Sequence, residues 1–177
     1  DSAVPAIAKH STPLVPVPKL TEGNRPQDGG GLIINMEERE QMLVEDQVAA
    51  KYLRRLVGAR DMLHDEHRWC LWLVDANPSD IARSKTLRDR LHHVAEARNA
   101  SPPASARDKA ATPSLFLAIR QPKGRWLCVP RHSSENRTIV PVAFFGPDDI
   151  AHDSTLTIDG ADEFLFGLLQ SAMFTTW

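Results

Sequence analysis

The sequence predicts an α+β fold, with helices packed around a small and mostly antiparallel sheet. Helical patterns dominate residues 36–99, broken by a single β-rich run. Short β-rich runs separated by Pro, Gly and Asp follow from residue 115. Helices and strands therefore do not alternate as βαβ crossovers would require. A chain of 177 residues with 42% hydrophobic content is long enough to bury a core without staples.

Each element follows from local chemistry. Residues 1–31 read as an extended arm or linker, with the domain proper over residues 32–177. Pro5, Pro13, Pro16, Pro18 and Pro26 break any helix, and Gly29-Gly30-Gly31 reads as a flexible turn. Leu32-Ile33-Ile34 is a short strand or anchor. Asn35 is the expected N-cap of a helix over 36–45, with Glu37 and Glu38 in the favourable first turn. A second helix is expected over about 46–57, with Val48, Tyr52 and Leu56 on one face and Gly58 as C-cap. Residues 68–74 (RWCLWLV) fit a buried strand. Asn77 and Pro78 fit the N-cap and first position of a short helix. A longer helix over 85–99 carries Leu87, Leu91, Val94 and Arg98 on one stripe that ends in a base. Residues 101–106 form a Pro/Ser/Ala loop. Strands are expected over 115–119, 125–129, 139–145 and 155–158, and a last helix over 161–176, starting near Asp159 or Gly160.

The net charge of −2 hides a segregation. From Arg83 to Arg137 there are twelve basic and four acidic side chains, a local +8 against −10 elsewhere. Such a middle suits a polyanion. No apolar run approaches the roughly 18 residues that span a bilayer, and no signal-peptide pattern is present. Two cysteines, Cys70 and Cys128, point to a reduced, cytoplasmic setting rather than a disulfide framework. The start at Asp1 suggests a piece of something longer. No dinucleotide or Walker glycine loop, GxSxG elbow or CxxC pair occurs, so no catalytic constellation is visible.

Residues 120–137 (RQPKGRWLCVPRHSSENR) are the most informative. Arg120, Lys123, Arg125, Arg131 and Arg137 oppose only Glu135, with Gln121, His132, Ser133, Ser134 and Asn136 interleaved. These side-chain types read phosphates and base edges, and a polar loop between two apolar strands can carry them into a groove. The same composition also suits an ordinary charged hairpin loop. Trp69, Trp72 and Trp126 read as core, as do Phe164, Phe166 and Phe174. Two other readings remain open to the residues. One is a basic-faced protein-interaction or scaffold domain without nucleic acid, whose 120–137 charges would not cluster with the 83–98 helix. The other is a small hydrolase or metal enzyme built on His64, Asp65 and His67.

An ordered set of segments carries a resemblance. It runs "RWCLWL", "RNAS", "ATPSLF", "IRQP", "VPRHSSENRTIVPVAF", "DSTLTI" and "GADEFLFGLLQSAMFTTW". Together, from about Pro26 to Trp177, these resemble the target-recognition region of the MmeI-like, type IIL bacterial DNA methyltransferases. The resemblance implies a parent that moves a methyl group from S-adenosylmethionine to adenine N6 in a short DNA motif. The parent's catalytic Asn-Pro-Pro-Tyr-type motif, cofactor glycine motif and nuclease motif are absent from this chain. No cofactor, metal or catalytic residue is therefore expected here. The implied partners are double-stranded DNA and the catalytic domain of the same chain, with no membrane. Base reading carries over to Glu135 and Arg137 first, then Ser133, Ser134, Asn136 and Ile139, with the 102–106 loop secondary. Phosphate contacts fall to Arg120, Lys123, Arg125 and Arg131, helped by the 83–98 helix. Asn136 stands where the family often has a base, and Ile139 near a frequent aromatic. Those departures bear on the recognised motif rather than on the role.

Overall fold

A computed structural model describes residues 16–134 and 137–171. Among them the chain runs β1 (Thr21–Glu22), β2 (Ile33–Ile34), α1 (Met36–Glu45), α2 (Gln47–Ala50), β3 (Leu53–Val57), α3 (Ala59–His64) and β4 (Arg68–Leu71). It continues with α4 (Pro78–Arg83), α5 (Lys85–Asn99), α6 (Ala104–Arg107), β5 (Trp126–Pro130), β6 (Ala143–Phe145), β7 (Ile150–Ala151), β8 (Thr155–Asp159) and α7 (Glu163–Leu169). The fold is α+β, but its strands form two four-stranded sheets rather than one, ordered β2-β4-β3-β7 and β1-β8-β5-β6. Only the β3–β7 pair is parallel, with Leu56 opposite Ile150; the other pairs are antiparallel.

The first sheet packs on α1 and α5. Asn35 caps α1 in a capping box: its side chain accepts from the Glu38 amide while Glu38 accepts from the Asn35 amide. Ser84 caps α5, whose Leu87, Leu91, Val94 and Arg98 are all buried, as the stripe predicts. Each aliphatic side chain there contributes about 1.5–3 kcal/mol of transfer free energy. Leu32, Ile34, Leu56, Leu71 and Ile150 complete this core. The second sheet buries Trp126, Leu127, Cys128 and Ile158. A small cluster of Val57, Ala151, Trp126 and Cys128 joins the two sheets.

Several expectations are corrected. The helix expected over 46–57 stops at Ala50, and residues 53–57 are strand β3, because four of them pair with β4 in register from Leu53–Leu71 to Leu56–Arg68. Gly58 consequently caps the start of α3 rather than the end of a helix. Residues 115–119 form no strand; an isolated bridge, Ala118 to Arg25, and a Leu117 amide bond to the Pro26 carbonyl hold them instead. Residues 104–106, expected as the end of a loop, belong to α6. The last helix begins after Asp162, whose side chain accepts from the Leu165 amide, and its expected end lies outside the described residues. Phe164 is 78% exposed and not core. Phe166 does pack, stacked on Phe144 with centroids 5.5 Å apart, while Phe174 lies outside the described residues.

The expected arm is built into the fold from residue 21 onward. Thr21–Glu22 pair with β8, Asn24 is fully buried, and Asp28 accepts from the Leu32 and Ile33 amides at 2.6 and 2.9 Å. The glycine turn is tight rather than loose. Gly29 and Gly30 have φ of +61° and +90°. A Cβ on Gly29 would lie 2.4 Å from the Ala97 Cβ, and one on Gly31 2.5 Å from Val94 Cγ2. Backbone this close to α5 requires glycine. His64 to His67 close α3 and turn into β4, with Asp65 at a left-handed C-cap.

Candidate nucleic-acid interface

The polar segment singled out in the sequence connects β5 to β6. Strand β5 is an inner strand, bonded to β8 on one side and β6 on the other, so its ends are fixed. Trp126 anchors it by donating from Nε1 to the Gly146 carbonyl at 2.8 Å, with Phe145 at 5.2 Å between ring centroids. From Pro130 the chain leaves the sheet and returns at Ala143. Arg131, His132, Ser133, Ser134, Arg137, Thr138 and Ile139 are all exposed. The Arg137 amide donates to the Ser134 carbonyl at 3.1 Å, and the Arg137 guanidinium has no ion pair among the described residues. Glu135 and Asn136 lie outside the described residues. A rigid sheet therefore presents a polar, solvent-facing segment at its edge, which suits a group that must reach into a groove.

The four phosphate candidates fall into separate places. Arg120 and Arg131 meet: both guanidinium groups reach the Glu22 carboxylate, at 3.3 and 3.1 Å. Arg125 sits at the other end of β5, about 20 Å from Arg131 along an extended strand. It donates to Glu163 at 2.7 Å and lies over the Phe144 ring at 3.7 Å, tying β5 to α7. Lys123 is exposed between them, with no ion pair among the described residues. The basic residues of the 83–98 stretch lie on α4 and α5 instead, where Arg83, Lys85 and Arg90 pair with carboxylates of α4, α5 and α1. Arg83 pairs with Asp80 and Lys85 with Asp89. Arg90 reaches Glu38 at 2.6 Å.

Arg98 is a correction of its own. It is 1% exposed and donates to five backbone carbonyls: Gln27, Lys109, Thr112, Pro26 and Leu115, at 2.6–3.1 Å. It holds three chain segments together and is unavailable to a phosphate. The 102–106 loop is largely exposed, apart from Ala106, and Arg107 folds back on the Ser101 carbonyl.

Sequence reasoning missed the residues that hold this end of the domain. Buried Asn24 donates from Nδ2 to Gln121 Oε1 at 2.7 Å and to the Ala151 carbonyl at 2.8 Å, while its Oδ1 accepts from the Arg120 amide at 2.6 Å. Gln121 also donates to the Asp149 carbonyl and accepts from the Ala151 amide. This network fixes the backbone that carries Arg120. No periodicity marks Asn24, because its partners are 97 and 127 residues away. Both cysteines are buried as free thiols, and burial pushes Cys128 up to about 12 and Cys70 up as well, leaving neither a nucleophile.

A family model described as the MmeI target recognition domain matches residues 1–177. The chain belongs to this family. A solved structure of the type IIL restriction-modification enzyme MmeI in complex with DNA matches the recognition domain with a TM-score of 0.90 and 35% identity, over 96% of this chain and 23% of that one. DNA methyltransferase A of Bacillus subtilis (strain 168) is 29% identical over 171 residues, covering 97% of this chain and 20% of that protein. The recognition domain spans about a fifth of the length of these relatives. No described helix is long and apolar enough to cross a membrane.

Proposed function

We propose that this chain is the DNA-reading module of a cytoplasmic, bacterial adenine-N6 DNA methyltransferase of the restriction-modification type. Its partners are double-stranded DNA and a catalytic domain of the same protein. The observation that carries the reading is the match, over nearly the whole chain, to a domain whose solved relative is a DNA complex. The exposed segment between β5 and β6 supports it as the base-reading element. Glu135 and Arg137 would read base edges, with Ser133, Ser134, Asn136 and Ile139 beside them, and the 102–106 loop in second place. Each good contact would be worth about 1–3 kcal/mol of discrimination. Arg120, Lys123, Arg125 and Arg131 would meet phosphates and set the position of the duplex. The domain's part in catalysis is indirect: it holds the duplex so that a flipped adenine enters a pocket elsewhere.

S-adenosylmethionine belongs to the parent's catalytic part. The Gly29–Gly31 turn gives it no glycine cradle, because Gly29 and Gly31 are packed against Ala97 and Val94. No step involving it is assigned to this chain.

The test is made in cells lacking other adenine methylation, by expressing the parent and reading the methylated motif by single-molecule sequencing. Exchanging Glu135 and Arg137 for other polar pairs is expected to change the motif at one position while methylation persists. A fixed motif with persisting activity would move base reading to another segment. Absence of methylation from a folded wild type would reject the adenine-methyltransferase parent.

A further inference from the structure

Three guanidinium groups from distant parts of the sequence meet one carboxylate. Glu22, on edge strand β1, faces Arg131 at 3.1 Å from Oε1, and Arg120 at 3.3 Å and Arg25 at 3.9 Å from Oε2. Arg25 also donates to Asp153 Oδ2 at 3.1 Å. The side chains of all five residues reach solvent. Three positive charges thus face two negative ones, a local excess of one. The arginines are held from behind: Asn24 fixes the Arg120 backbone, and Arg131 donates to the Asp153 carbonyl at 3.2 Å.

A carboxylate that gathers several guanidinium groups uses the donors a phosphate would use. We infer that Glu22 is a built-in competitor for backbone phosphate, occupying Arg25, Arg120 and Arg131 in the unbound domain and weakening its hold on DNA of any sequence. The inference rests on the DNA-binding reading above and adds Arg25 to its phosphate set. A phosphate arriving at this cluster must share or displace Glu22, and the two anions repel. The cost does not depend on the bases, so it restrains non-specific binding while leaving the motif to the β5–β6 segment. Exposed pairs of this kind are individually weak, which lets DNA exchange with them.

The intact protein that carries this domain is titrated with duplex DNA lacking the methylated motif, over a range of salt. Glu22→Gln keeps the side-chain shape and removes the charge. It is expected to tighten this binding about three- to tenfold at low salt and to steepen the salt dependence by about one counterion. The methylated motif stays the same. Asp153→Asn, which of the three arginines releases only the Arg25 side chain, tightens binding by a smaller factor. Arg131→Ala weakens it. If Arg131→Ala weakens binding but neither charge-removing variant tightens it, Glu22 is not a competitor and the DNA reading stands. If Glu22→Gln weakens binding, the carboxylate only positions the arginines, and the inference is overturned. If wild type binds no duplex, the DNA reading itself fails.

Discussion

Arg98 shows how a charge can be structural. A guanidinium has five N–H donors and no way to lose its proton at ordinary pH, so burial is tolerable only if every donor is met. Five carbonyls meet them, and desolvation still draws its pKa below the ordinary arginine value. The side chain sits where an apolar residue would continue the stripe of α5, yet it binds the chain just before the glycine turn and the segment that follows α6. Arg98→Lys keeps the charge but offers three donors in the wrong geometry. It is expected to cost about 3 kcal/mol or more, read as a lowered urea midpoint with an unchanged slope. A loss under 1 kcal/mol would mean that the carbonyls find water instead.

At the scale of elements, β3 is the instructive case. Val48, Tyr52 and Leu56 fit a helical stripe, and Leu53–Val57 fit a strand equally well. The helix ends after Ala50 because β3 gains hydrogen bonds from β4 and β7 on both of its edges, which outweighs a weak local preference. By contrast the bounds of α5 were legible to the residue, since its stripe and length agree, while its Ser84 cap emerged only in the structure. The glycine turn yields a prediction at this scale. Gly31→Ala drives a Cβ to within 2.5 Å of Val94 Cγ2 and 3.0 Å of the Arg90 carbonyl, so α5 must shift. The expected loss is about 1–3 kcal/mol by thermal or denaturant unfolding. Gly30→Ala meets nothing within 4 Å and tests the left-handed backbone alone, at about 1 kcal/mol. Equal losses would reject the packing argument.

For the whole molecule, the seam between the sheets carries a pH dependence. The His152 amide donates to the Val57 carbonyl at 2.8 Å, and its ring Nδ1 accepts from the Ser154 amide at 3.1 Å. Ser154 Oγ in turn accepts from the Ala59 amide at the start of α3. Burial pulls the His152 pKa below the usual histidine value, against the opposing pull of Asp153. The unfolded chain therefore binds the proton more readily than the folded one. Stability is complete above the ordinary histidine pKa of about 6.5 and falls as pH drops below it. The slope below that point is at most about 1.4 kcal/mol per pH unit for one group. His152→Gln is expected to flatten the stability curve between about pH 6.5 and 5, and an unchanged curve would remove His152 from the seam's titration.

The sequence by itself determined the fold class, the N-cap of α1, the bounds and stripe of α5, a strand at β5 and, through its ordered segments, the family. Those features are local or depend on order along the chain, and local pattern reports them faithfully. Tertiary structure alone decided that there are two sheets, that residues 21–31 belong to the fold and that Arg98 is buried. It also decided that Arg25, Arg120 and Arg131 converge on Glu22 while Arg125 stands apart. A charge count along the chain sums cations without their partners. Whether a given arginine faces a carbonyl, a carboxylate or open water depends on segments a hundred residues away, and only the folded chain brings those together.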